Sequence, residues 1–258
     1  MEDVKQNTLK EEKIRHFLKK NSGFEWQLSI YQELESTNDY LIEFANPNEY
    51  GLCLSESQTK GRGRNLKKWQ SPKYENIYMS ISFSTNHELK NFSSFSLVSA
   101  LAVHNVLLKQ NIFTEIKWPN DIYLNKKKIG GILIETLTRD AENLIIVGIG
   151  LNVNQVSFQL SKATSMKLQK GMEYAVEELL NTFIFTFRKN EHILFANNFL
   201  DLKERYLACL FALNEQRFFK SESKEFEGKI IGVDDSGQLL IESQGKQMAF
   251  QNKEIHFL

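Results

Sequence analysis

Ile77-Tyr78-Met79-Ser80-Ile81-Ser82-Phe83 is the stretch whose reading decides the fold. Ile77, Met79, Ile81 and Phe83 recur at every second position while Ser80 and Ser82 turn the other way, which is the period of a strand with one buried face. Upstream, Thr8-x-x-Glu11 is a capping-box pattern that predicts a short helix over Glu11 to Lys20. A strand over Trp26 to Leu34, a helix opened by Ser36-Thr37-Asn38-Asp39 and running to about Phe44, and a strand over Tyr50 to Glu56 follow. Downstream, Phe92 to Gln110 reads as an amphipathic helix. Glu115 to Trp118, Ile122 to Leu124, Lys128 to Thr136 and Asn143 to Asn154 read as strands, with Asn125-Lys126-Lys127 as a tight turn. Met172 to Lys189 and Glu191 to Leu210 carry long helical patterns. After about Leu213 the rhythm shortens to four strand-like runs, Gln216 to Lys220, Glu225 to Val233, Gln238 to Ser243 and Lys246 to Phe250, joined by turn chemistry at Asp234-Asp235-Ser236-Gly237 and Ser243-Gln244-Gly245. The prediction is a mixed α/β domain over residues 1–213 and a small antiparallel barrel over 214–258.

Composition narrows the function. Among 258 residues, 32 Lys plus Arg balance 32 Asp plus Glu. A formal charge of zero argues against a chain whose main task is to coat nucleic acid or an anionic membrane. No apolar run reaches the roughly 18 residues of a membrane span. The opening Met1-Glu2-Asp3-Val4-Lys5 has no apolar core of a signal peptide. Two distant cysteines, Cys53 and Cys209, suit a reducing cytoplasm, and the scattered histidines give no zinc pattern.

Five constellations stand out. Lys60-Gly61-Arg62-Gly63-Arg64-Asn65-Leu66-Lys67-Lys68-Trp69 puts five cations in nine residues of a neutral protein. Glycine permits close backbone approach, arginine offers a planar fork, and Trp69 offers a stacking face, so the loop suits a polyanion beside a planar base. It is not a Walker P-loop. Arg-Gly segments with an aromatic also touch RNA, so an RNA-binding module is a competing reading. Lys117-Trp118-Pro119-Asn120-Asp121 on its own reads as strand-end and turn chemistry. The double glycine of Lys128-Ile129-Gly130-Gly131-Ile132-Leu133-Ile134-Glu135 implies a bulge or a closely approaching ligand, with Lys128 able to meet a carboxylate. Gly148-Ile149-Gly150-Leu151-Asn152 thins another strand, and Glu35-Ser36-Thr37-Asn38 is a helix start whose N–H groups cap the helix or hold a polar ligand.

The order of these five motifs, from about Glu35 to Asn154, strongly resembles biotin protein ligase, the enzyme that biotinylates acetyl-CoA carboxylase. The resemblance implies an α+β fold: a mixed sheet packed with helices, like the biotin/lipoate ligase and class II synthetase catalytic domains, with a small C-terminal SH3-like barrel. It implies that biotin and ATP with Mg²⁺ form biotinyl-5′-AMP, and that biotin then passes to a lysine of a biotin carboxyl carrier protein. It places Ser36, Thr37 and Asn38 at the ureido ring, and Gln58, Arg62, Gly63 and Arg64 on the biotin and phosphate side. It places Lys128 at the biotin carboxylate, and Gly131 where the backbone comes close. Trp69, Asn120 and Asn152 fall at the adenylate, and Lys117 and Asp121 at the reacting phosphate, with Asp121 toward Mg²⁺. Lys117, Arg64 and Asp121 are then the catalytic set. No protein nucleophile is required, in keeping with the absence of a Ser-His or Cys-His signature.

The resemblance also implies that Gln58 to Trp69 is a lid, poorly ordered without ligand and closing over biotinyl-AMP. Many members have glycine and arginine where Leu66 and Lys67 stand. Lys67 keeps the charge without the bidentate geometry, and Leu66 adds an apolar contact to the lid. Only about 25 residues precede the first strand, too few for the DNA-binding winged helix of some members, so a monofunctional enzyme with no nucleic-acid partner is expected. A homodimer paired through sheet edges is left open. Lipoate protein ligase is the nearest alternative.

Overall fold

The computed structural model describes residues 9–22, 25–64, 67–85, 93–139, 142–196, 198–222 and 224–258. Thr8 of the first capping box, and Asn65 and Leu66 of the basic loop, lie outside them. Helix α1 (Glu11–Ser22) begins with Glu11 and Glu12, ends near Lys19 and Lys20, and buries Ile14 and Leu18 one turn apart. Strands β1 (Trp26–Tyr31) and β2 (Tyr50–Ser55) pair in parallel around the crossover helix α2 (Thr37–Phe44). Strand β3 (Ile77–Thr85) then pairs antiparallel with β2 and leads into α3 (Ser93–Lys109). Next come β4 (Glu115–Lys117), β5 (Asp121–Leu124), β6 (Lys127–Arg139) and β7 (Glu142–Leu151), completing a seven-stranded sheet ordered β1-β2-β3-β7-β6-β5-β4. The tight turn between β5 and β6 has both Asn125 and Lys126 in the left-handed region, φ 49° and 60°, the geometry of a two-residue hairpin.

The two faces of this sheet differ. Ile77, Met79, Ile81 and Phe83 join the main core beneath α3 and the long helix α5 (Val176–Phe195). The opposite face is not left to water, as the alternation in β3 suggests. Ser80 and Ser82 are fully buried there, because α2 packs over β2, β3 and β7. A smaller apolar cluster of Leu41, Ala45, Cys53, Leu144 and Ile146 seals part of that face. The rest of it forms the site.

The later helices correct the sequence reading. Instead of helices over Met172–Lys189 and Glu191–Leu210, the described residues form three: α4 (Met166–Lys170), α5, and α6 (Phe199–Leu207). Ser165 caps α4, and Gly171 ends it at φ 72°. The break expected at Asn190 is absent, because that amide is fully buried with partners on both sides. It donates to Val98 O at 3.4 Å and accepts from Arg205 Nη2 at 3.0 Å. Beyond Asn214 lies a five-stranded antiparallel sheet ordered β11-β10-β9-β8-β12. Its strands are β8 (Gln216–Ser221), β9 (Glu225–Val233), β10 (Leu239–Ser243), β11 (Lys246–Phe250) and β12 (Ile255–Phe257). The last was too short to read from sequence. Phe219, Ile230, Leu239 and Ile241 of this sheet merge with the main core, and Trp118 Nε1 donates to Gly237 O at 2.9 Å, so the C-terminal unit is docked against the strand carrying the Lys-Trp-Pro-Asn-Asp motif. Among the described residues no helix is long and apolar enough to cross a membrane.

Candidate active site

Strand register puts the sparse residues of the motifs side by side. Pairing of β7 with β3 and β6 aligns Tyr78, Gly150 and Gly131, and β5 and β4 extend the row to Asp121 and Lys117. A second row carries Cys53, Ser80, Gly148 and Leu133. Of the two alternatives expected for the double glycine, the bulge is present. Tyr123 faces Lys128 while Ile122 faces Gly130, so Ile129 is an extra residue, and the strand bulges there. Gly131 meanwhile leaves room for a neighbour: a methyl on it would lie 3.2 Å from Trp69. Gly150 is tighter still, at 2.4 Å from the same indole, and Gly148 at 2.1 Å from Asn38 Oδ1.

Over these rows lies the basic loop, a small hairpin. Trp69 N donates to Gly61 O at 2.9 Å, Gly63 N to Lys67 O at 2.7 Å, and Arg62 bridges Lys68 across it. Gln58 anchors its root: Oε1 accepts from Thr37 N at 2.9 Å, and Nε2 donates to Ser71 Oγ at 3.1 Å. Beneath the hairpin is a narrow cavity of about 50 Å³. Eleven of the fourteen residues singled out in the sequence line it: Ser36, Thr37, Asn38, Gln58, Arg62 and Gly63 toward α2 and the hairpin root, and Arg64, Trp69, Asn120, Lys128 and Gly131 toward the other end. Lys117, Asp121 and Asn152 stand outside the lining. Sequence reasoning missed the contribution of Met79, Ile132, Leu133 and Ile149, whose apolar character carries no signal of a site. It also missed Ser80, which the strand alternation had marked only as polar.

The α2 end offers uncharged side chains rich in hydrogen bonds. Ser36 caps the helix by accepting from Asp39 N, and Thr37 and Asn38 are each 4% exposed. Ser80 Oγ lies 2.7 Å from Thr37 Oγ1 and 2.5 Å from Asn38 Oδ1, and Asn38 Nδ2 donates to Glu135 Oε2 at 2.8 Å. The opposite end is cationic. Lys128 Nζ pairs with Asp121 Oδ1 at 2.6 Å and sits 5.2 Å from the Trp69 ring centroid. Arg64 Nη1 donates to Asn120 Oδ1 at 3.3 Å; burial lowers the guanidinium pKa, and Asp121 pulls it back up. Asn120 Nδ2 is fixed on Ile132 O at 2.7 Å. The indole Nε1 of Trp69 is buried with no hydrogen-bond partner among the described residues, a donor with capacity for a ligand acceptor.

The remaining residues divide differently. Arg62 is engaged by two carboxylates, Asp39 and Glu135. Burial alone would lower its pKa, but these hydrogen bonds outweigh it and leave it raised. Lys117 lies on the site face next to Asp121, yet its ammonium rests over the rings of Tyr123 and Phe257, both at 4.8 Å, where burial lowers its pKa. Asn152 Nδ2 donates to Thr164 O at 2.9 Å and its backbone pairs with Ile129 and Met166, so it ties the segment after β7 to the sheet. Among the described residues no group of three His, Cys, Asp or Glu side chains could enclose a metal. Beside the narrow cavity, a cleft of about 550 Å³ opens between α3, α6 and the C-terminal sheet and shares Arg64 and Asn120 with it.

Residues 30–152 match the model of the biotin/lipoate A/B protein ligase family. The bifunctional ligase/repressor BirA of Bacillus spizizenii is 32% identical over 250 residues, covering 93% of this chain and 76% of the relative. The biotin–[acetyl-CoA-carboxylase] ligase of Paracoccus denitrificans is 26% identical over 235 residues, covering 86% of this chain and 97% of that one. Among solved structures, biotin protein ligase from Aquifex aeolicus in complex with biotin and ATP superposes with a TM-score of 0.77 at 29% identity, over 90% of this chain and 98% of that chain. The fold, the ordered motifs and these relatives agree: the chain belongs to the biotin protein ligase family.

Proposed function

We propose that the chain condenses biotin with ATP to biotinyl-5′-AMP and transfers the biotinyl group to a lysine of a biotin carboxyl carrier domain of acetyl-CoA carboxylase. The observation that carries the reading is the polarity of one slot. Its α2 end offers uncharged donors and acceptors on Thr37, Asn38, Ser80 and Gln58, and its far end offers Lys128 and Arg64. A neutral ureido ring with an acid tail fits that gradient in one direction. Lipoate also has an acid tail, but its dithiolane ring makes no use of the buried amide and hydroxyls. The arginines of the hairpin turn inward, Arg62 to carboxylates and Arg64 to Asn120, which favours acid activation over RNA binding.

In the first half-reaction a carboxylate oxygen of biotin attacks the α-phosphorus of ATP, the bond to pyrophosphate breaks, and a mixed anhydride forms. Two anions must meet, so Lys128 on the acid and Arg64 on the phosphate lower the barrier by cancelling repulsion in a water-poor site. Lys117 adds positive potential from behind Asp121. In the second half-reaction the neutral amine of the carrier lysine attacks the acyl carbon, AMP leaves with the bonding pair, and the amine sheds its proton. Asp121 is compatible with a magnesium ion that arrives on the nucleotide, since Mg²⁺ takes one or two carboxylates plus phosphate oxygens. The ion would share that carboxylate with Lys128 and supply charge neutralisation.

The cavity of about 50 Å³ is far below the roughly 300–1,000 Å³ of small-molecule sites. Trp69 takes up the difference, packed on Gly131 and Gly150. The Trp69 side chain therefore moves out to admit substrate and closes again over the adenylate, excluding water from an anhydride prone to hydrolysis. Incubation with biotin, Mg-ATP and a biotin-carrier domain should add one biotinyl mass to the acceptor lysine. No mass gain with biotin, or an equal one with lipoate, overturns the reading.

A further inference from the structure

We infer that Asp39 and Glu135 are positioning residues that pin Arg62 as the fixed root of the hairpin and leave Arg64 as the arginine presented to the substrate anion, an inference that rests on the function proposed above. Arg62 gives Nε to Asp39 Oδ2 at 3.2 Å, and Nη1 and Nη2 to the two oxygens of Glu135, both at 3.1 Å; Nη2 also bonds Asp39 Oδ1. Both carboxylates hold the guanidinium with two hydrogen bonds, the strong and directional form of this pairing. Two carboxylates on one guanidinium leave the triad net negative, and a net negative group repels phosphate. Arg64 has no ion pair among the described residues and lines both the narrow cavity and the adjoining cleft. The two arginines of the Gly-Arg-Gly-Arg run thus do different work.

The pin also reaches the ring end of the slot. Glu135 Oε2, which holds Arg62, accepts from Asn38 Nδ2 at 2.8 Å, and Asp39 follows Asn38 in the first turn of α2. One carboxylate pair therefore sets both the buried amide and the hairpin root. The next residue, Gly63, is loosely packed: even a methyl there would meet nothing closer than Lys67 O at 3.4 Å. A root held this way returns Arg64 and Trp69 to one position over the adenylate each time the slot closes. Loosening the root should let the adenylate escape while leaving Lys128, on its own strand, in place.

The test uses the whole chain and the variants D39N and E135Q, each also placed in an R62A background. In ligand-free protein, amide exchange at Gly63 and Trp69 should quicken by about tenfold in both single variants. Dissociation of preformed biotinyl-AMP should quicken by about tenfold, with pyrophosphate exchange falling far less. D39N should add nothing once Arg62 is gone, because its effect passes through that residue, whereas E135Q should keep only the part that acts through Asn38. E135D, which keeps the charge, should recover part of the retention. Unchanged amide exchange overturns the pin, and faster exchange with unchanged adenylate retention overturns its role in the reaction. An effect of D39N that persists in R62A also sinks it. If the wild-type chain makes no adenylate, the proposed function fails, while the amide-exchange arm still decides whether Asp39 and Glu135 hold the hairpin.

Discussion

Gly148 and Gly150 in the seven-stranded sheet stand where a methyl would strike a polar or aromatic group, Asn38 Oδ1 at 2.1 Å and the Trp69 indole at 2.4 Å. Gly228 in the C-terminal sheet stands where one would strike Ile241 Cγ2 at 2.6 Å. The same residue is used in both places for close approach, but the neighbours differ. In the C-terminal sheet the space is filled by apolar packing, with Phe219, Phe226 and Phe257 in ring contact and Ile241 fully buried. On the site face it is filled by side chains that hold a buried hydrogen-bond network or cover a slot. Packing surrounds the first kind of glycine with groups that only stabilise. The second kind is surrounded by groups that must also let a ligand in.

The largest effect should come from Lys128→Ala. It removes the charge at the acid end and leaves Asp121 without its partner, so pyrophosphate exchange should drop by about 10²- to 10³-fold. The midpoint of thermal unfolding should hardly move, because the pair is partly exposed. Full activity in this variant would erase the distinction between the two ends of the slot. Gly148→Ala comes next. Its methyl would displace Asn38 from Ser80 and Glu135, and overpacking of this kind costs about 1–3 kcal/mol, or about five- to 150-fold in biotin affinity. Isothermal titration with biotin measures it. A loss of stability with no loss of affinity would make Gly148 a packing glycine like Gly228.

These positions also show how far the sequence could be read. The strand period of Ile77 to Phe83 and the helix start at Ser36 were legible because they rest on local physics, alternation and capping. The burial of Ser80 was not, since it depends on a helix forty residues earlier in the chain folding back over β3. The break misplaced at Asn190 has the same origin: a buried amide looks like a helix end until Val98 and Arg205 are seen to satisfy it. In the site, glycines and cations announced themselves by composition, whereas Asp39 entered only as part of a helix start and Glu135 only as the last residue of the double-glycine motif. Their pairing with Arg62 is a long-range contact that spacing does not encode.

A smaller effect tests the other side of the comparison. Ile241→Val in the C-terminal sheet removes one buried methylene group and should cost about 0.5–1.5 kcal/mol in denaturant unfolding. Biotin affinity and pyrophosphate exchange should stay as in the wild type at a temperature where both are folded. A fall in affinity would mean that packing in this unit is transmitted to the slot, which the contact of Trp118 with Gly237 makes a route worth measuring.

Lys117 sits where the two regions meet, its ammonium among Tyr123, Phe211 and Phe257 and close to Asp121. Burial lowers its pKa below the ordinary 10.5, Asp121 draws it back, and Lys162, Arg217 and Lys128 lower it further. The unfolded chain therefore holds this proton more tightly than the folded one. Between the lowered value and 10.5 the unfolded state binds more protons, so stability rises with pH across that window and is flat with respect to this group below it. Lys117→Met keeps the length and apolar stem and removes the titration. The difference in urea midpoint between wild type and variant should thus be constant through neutral pH and shift in favour of the wild type as pH climbs toward 10.5. Parallel curves throughout would mean that the three rings compensate fully for lost hydration, by cation–π attraction, and that Lys117 belongs with the packing of the C-terminal sheet and not with the charge of the slot.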